Sequence, residues 1–128
     1  MKRISSACRK YLLAALVVTA ISSAAHAETS IGRWCDESLP GMPQYNSILE
    51  IFVADNGAAE MRIQNSDGSR TVTTLEKQGF GIYAAIGSST GDKYRVEPDG
   101  NLALLNYKGF ARLAMRLDST PKRGDCAI

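Results

Sequence analysis

The stretch SILEIFVADNGAAEMRIQNSDGSRTVTTLE, residues 47–76, decides the fold. At its centre Ala59, Met61 and Ile63 alternate with Glu60, Arg62 and Gln64. A period of two puts one set in a core and the other in water, which predicts a half-buried β-strand. Before it, Ser47 to Ala54 is apolar on both faces except for Glu50, and Asp55-Asn56-Gly57 supplies residues that tolerate positive φ in a tight hairpin. Asn65-Ser66-Asp67-Gly68 repeats the turn signal and leads into Ser69 to Glu76, rich in β-branched Thr71, Val72, Thr73 and Thr74.

The same pattern continues toward the C-terminus. Phe80 to Ile86 reads as a short strand and Gly87 to Asp92 as a polar loop. Lys93 to Glu97 alternates Tyr94 and Val96 against Lys93, Arg95 and Glu97, and Pro98-Asp99-Gly100 turns the chain into Asn101 to Asn106, where Leu102 and Leu104 share a face. A further turn, Asn106-Tyr107-Lys108-Gly109, precedes Phe110 to Leu117, in which Ala111, Leu113, Met115 and Leu117 form the apolar face opposite Arg112, Ala114 and Arg116. With Ile31 to Cys35 at the start this makes eight short strands and no sustained helical period. The expected fold is all-β, an antiparallel up-and-down barrel whose closure removes exposed edges. A two-sheet sandwich is the alternative.

Toward the N-terminus the chain changes character. Lys2, Arg3, Arg9 and Lys10 precede an apolar run from Tyr11 to Ile21, and Ala25-His26-Ala27 has the small-x-small form of a cleavage site. Residues 1–27 are therefore read as an export signal and residues 28–128 as one domain, periplasmic or secreted. The run is too short for a membrane anchor, which needs about 20 residues. Removing the signal leaves 11 basic and 13 acidic residues, a net charge of −2, and no basic run, which argues against nucleic-acid binding.

The only histidine, His26, leaves with the signal, so the mature chain loses the commonest general base and metal ligand. Cys8 is discarded as well, so Cys35 and Cys126 remain as the only pair available for a disulfide in an oxidising compartment. Such a bridge closes a loop of about 90 residues, for which the chain-entropy relation gives roughly 4 to 5 kcal/mol. It would join the two ends of the meander that must meet.

Gly32-Arg33-Trp34 on the first strand resembles the Gly-x-Trp signature of the lipocalin and wider calycin barrels. That resemblance implies that Trp34 closes one end of a barrel, with a late-strand Arg112 or Arg116 lying over it. The mature length is closer to small periplasmic calycin-like barrels, two kinds of which are inhibitors. One, the inhibitor of secreted metalloproteases, is similar in its first strand and in a late Pro-Asp-Gly hairpin. It acts through a flexible N-terminal segment, which here would be Glu28, Thr29 and Ser30. The other, the periplasmic inhibitor of C-type lysozyme, uses a Ser-Gly-x-(Lys/Arg)-Tyr loop, which Ser89-Thr90-Gly91-Asp92-Lys93-Tyr94 resembles with one extra residue between Ser and Gly. A hydroxyl from Ser89 and an ammonium from Lys93 suit a cleft built around two carboxylates.

The longer connection from Asp36 to Asn46 carries Pro40, Met42, Pro43 and Tyr45, and reads either as a contact loop or as a plug in which Met42 and Tyr45 pack over the open barrel end. For catalysis, a Ser nucleophile would need a lysine as base, and no Ser-x-x-Lys context is present. The functional expectation is a monomeric, non-enzymatic binding protein without cofactor or metal. Met42, Tyr45, Ser89, Lys93 and Tyr94 are its candidate contact residues, and its expected partner is an envelope or secreted hydrolase. The alternatives are a carrier of a small apolar ligand inside the barrel and an accessory subunit of an envelope complex.

Overall fold

The computed structural model describes residues 27–117 and Cys126. The export signal read over residues 1–27 lies, apart from Ala27, outside the described residues. Eight antiparallel strands follow one another around a closed barrel: β1 (Glu28–Glu37), β2 (Asn46–Ala54), β3 (Ala59–Asn65), β4 (Arg70–Lys77), β5 (Ile82–Ala85), β6 (Lys93–Val96), β7 (Leu102–Asn106) and β8 (Gly109–Arg116). Each strand pairs with its neighbour in sequence, and β8 closes on β1. The meander read from the sequence is the observed topology. One 3-10 turn, Pro43–Tyr45, lies in the β1–β2 connection, and among the described residues no helix is long and apolar enough to cross a membrane.

Pairing register explains the interior. Trp34 sits opposite Leu49, Leu49 opposite Ile63 and Ile63 opposite Thr71, while Gly32, Ile51, Met61 and Thr73 form the next row. Alternation therefore turns one face of each strand inward, and Trp34, Ile51, Met61 and Leu102 are fully buried there. Leu49, Leu75, Tyr83, Leu104 and Ala114 complete a single core. The barrel centre is occupied by side chains. All three phenylalanines lie elsewhere: Phe52 is half-buried beneath the Arg62 guanidinium, 3.8 Å from its ring centroid, and Phe80 and Phe110 are exposed.

Strand β8 is built in the opposite phase to the one its sequence suggests. Ala114 is buried and Leu113 and Met115 are about half exposed, so Arg112, Ala114 and Arg116 share the inward parity. The reason is the closing seam. Trp34 faces Arg116 and Cys35 faces Met115, which sets the parity of the strand, and Arg112 finds Asp36 inside the mouth. The strand expected over Phe80 to Ile86 is shorter, Ile82–Ala85, because Gly79 and Gly81 both take positive φ. They fold the chain so that Phe80 stands at the tip of the turn, wholly exposed.

The β1–β8 seam has two ladder pairs, Trp34 with Arg116 and Cys35 with Met115, extended by the Leu117 amide donating to the Arg33 carbonyl. Cys35 is bonded to Cys126, with Cα atoms 5.6 Å apart across a sequence separation of 91. The covalent tie thus lies at the shortest-paired closing edge, where the two ends of the meander meet.

Candidate functional site

Strand direction sorts the connections between two barrel ends. Odd-numbered strands run toward an upper end, which carries connections 38–45, 66–69, 86–92 and 107–108; the lower end carries 55–58, 78–81 and 97–101.

The lower end is sealed. The Trp34 ring lies across Gly32, and its Nε1–H donates to the Gly100 carbonyl at 2.7 Å, locking β1 to the β6–β7 turn. Arg116 is the cross-strand neighbour of Trp34, and its Cδ would lie 3.2 Å from a Cβ at Gly100. Of the two arginines suggested for this end, Arg116 is the one placed here. Arg112 belongs to the other end.

In the upper mouth, Arg112 Nε and Nη2 donate to the two carboxylate oxygens of Asp36 at 2.6 and 2.8 Å. Asp36 is 8% exposed and Arg112 41%, so the pair spans the boundary between interior and solvent. The carboxylate raises the guanidinium pKa, chiefly through these hydrogen bonds. Tyr94 shares this environment: burial pushes its phenol pKa up, the negative charges of Asp92 and Asp36 add to the effect, and Arg112 opposes it. Tyr94 faces inward opposite Leu104 and Tyr83, so of the candidate contact residues it belongs to the barrel wall.

The other four stand at the upper rim. Met42 and Tyr45 are exposed by 46% and 52%, which makes their connection a projecting loop and not a plug. Ser89 is exposed on the 86–92 loop and Lys93 at the first residue of β6. That loop is braced from within. The Ser88 and Thr90 hydroxyls are 3.2 Å apart, Thr90 donates to Asp92 at 2.8 Å, and the Asp92 amide donates to Ser88 Oγ at 3.1 Å. The Tyr107 amide also bonds the Thr90 carbonyl at 3.0 Å, tying the loop to the β7–β8 turn.

The rim also holds residues the sequence reading did not single out, Leu39, Ile86, Tyr107 and Phe110, beside Met42 and Tyr45. Leu39, Met42, Tyr45, Ile86, Tyr107 and Phe110 are all large, apolar or aromatic, and exposed, and all belong to upper-end connections or strand ends. Because β8 neighbours β1, the Tyr107–Phe110 corner and loop 38–45 lie at the same barrel end on neighbouring strands. The signal for Ile86, Tyr107 and Phe110 was their place beside Gly87 and Gly109, where positive φ ends or starts a strand and projects its neighbours into solvent. No protein-family model, no curated protein and no solved structure matches the chain.

Proposed function

We propose that the chain is an exported binding protein without catalytic chemistry, which presents its upper rim to a protein partner of the envelope or secreted hydrolase class. The observation that carries this reading is that six of the ten exposed large apolar or aromatic side chains among the described residues stand at one barrel end, where exposed apolar surface favours partner contact. Aromatic and Met side chains are the usual anchors of protein interfaces. Loop 86–92 is held by its own hydrogen bonds and by Tyr107, so little entropy is lost when it docks. The filled barrel centre supports a scaffold over a carrier, since Trp34, Ile51, Met61 and Leu102 occupy the space a ligand would need. Ser89 and Lys93 give the rim a hydroxyl and an ammonium suited to a carboxylate-lined cleft.

The test is inhibition. The oxidised protein, in large excess over each of a panel of lysozymes and secreted proteases, is expected to abolish the activity of at least one of them. Tyr107→Ser with Phe110→Ser is expected to restore that activity. Full activity across the panel would end the inhibitor reading.

A further inference from the structure

One sector of the upper rim has a chemistry unlike its neighbours. Between loop 38–45 and the β3–β4 turn lies a shallow depression of about 440 Å³, within the size range of small-molecule sites. Its lining includes Ser38, Gln44, Tyr45, Ser47, Asn65 and Asp67. Hydroxyls, carboxamides, one carboxylate, the Tyr45 ring and the Leu39 side chain meet there, and no lysine or arginine lines it among the described residues.

The walls are fixed in place before any ligand arrives. Ser38 Oγ donates to the Tyr45 carbonyl at 3.0 Å, and the Ser66 hydroxyl donates to the Gln44 carbonyl, joining loop to turn. Ser47 Oγ donates to Asn65 Oδ1 at 3.1 Å, and Asn65 Nδ2 donates to Ser69 Oγ at 3.1 Å. Hydrogen bonds from the Ser69 hydroxyl and amide hold the Asp67 carboxyl below the ordinary aspartate range, so it remains an anionic acceptor. The Tyr45 ring stands half out of the protein beside these groups.

We propose that this depression binds a neutral saccharide. A sugar presents adjacent hydroxyls, each both donor and acceptor, which neutral amides, hydroxyls and a carboxylate satisfy. It also presents an apolar C–H face, for which Tyr45 is the platform. An anionic ligand would meet Asp67 with no lining cation to offset it. A peptide would need several apolar or charged recesses for its side chains, and beyond Leu39, Tyr45 and Asp67 the lining offers amides and hydroxyls. The site shares Leu39 and Tyr45 with the proposed partner surface but uses neither Tyr107 nor Phe110, so substitutions at those two residues separate the two readings.

The experiment is a titration of the oxidised, isotope-labelled protein with chitotetraose, maltotetraose and, as a peptide probe, tetra-alanine, following backbone amide shifts. At least one tetrasaccharide is expected to shift the Gln44, Tyr45, Ser66 and Asp67 amides saturably, with a dissociation constant of roughly 1 mM. Tyr45→Ala and Asp67→Asn are each expected to weaken binding about tenfold. Asp67→Asn keeps an acceptor for the Ser69 amide, so it tests the charge without removing the turn. Phe110→Ser is expected to leave saccharide binding unchanged. The proposal is overturned if neither sugar moves these amides, if both substitutions leave the affinity intact, or if tetra-alanine alone binds there.

Discussion

Among the described glycines, Gly32 carries the tightest steric constraint. A Cβ at this position would lie 2.7 Å from both Cη2 and Cζ2 of Trp34, so the indole rests where it does because position 32 has no side chain. Gly32→Ala must tilt the ring and strain its bond to the Gly100 carbonyl. The expected cost is about 1–3 kcal/mol, read as a lower urea midpoint with an unchanged slope. The fluorescence of the single tryptophan should shift in parallel. An unchanged midpoint would mean that the indole is not held against the backbone. The Gly-x-Trp pair was legible in the sequence because both partners are local. The acceptor was not, since Gly100 lies 66 residues away and only the closed register brings it beneath the ring.

Among the elements, β8 shows best where pattern reading reaches its limit. Its alternation was visible and its phase was not, because both of its faces carry apolar residues and the choice is made by β1. Cys35 on the outside and Trp34 on the inside fix the neighbours Met115 and Arg116, and that places Arg112 inside the mouth against Asp36. Removing the guanidinium leaves a carboxylate that is 8% exposed without its main partner. Because Arg112 itself is 41% exposed, solvent screens part of the loss. Arg112→Met should therefore cost about 1–3 kcal/mol, below the figure for a fully buried pair. Adding Asp36→Asn should recover part of that loss, which a double-mutant cycle measures. Strict additivity would show that the two side chains do not interact. Strands β2 to β4 were legible almost to the residue, since Gly-containing turns mark their boundaries and β3 alternates cleanly between an apolar and a polar face. The short strand β5 was overextended at both ends, because Phe80 and Ile86 look like core residues until the flanking glycines turn them out.

On the scale of the whole molecule, an up-and-down barrel must bring its first and last strands together, and no local contact helps it to do so. Seven of the eight seams join strands adjacent in sequence, whereas β1 and β8 meet only after the entire chain has been laid down. That seam also has only two ladder pairs, and the Cys35–Cys126 bond adds a covalent tie beside them. Closing a loop with a sequence separation of 91 removes unfolded-state entropy worth roughly 4 to 5 kcal/mol. Cys35 and Cys126, one on each side of the strand pattern, were enough to anticipate this tie, whereas the grouping of apolar side chains at one rim depended on strand direction and had to come from the fold. If the bond acts chiefly at the seam, Cys35→Ala with Cys126→Ala should lower stability by about 4 kcal/mol. Native-state hydrogen exchange should then show the loss of protection concentrated in the amides of β1 and β8, with β2 to β4 retaining the most protection. Loss spread evenly over all eight strands would place the effect wholly in the unfolded chain. Unchanged stability would mean that burial of Trp34 and the Asp36–Arg112 pair suffices to hold the barrel shut.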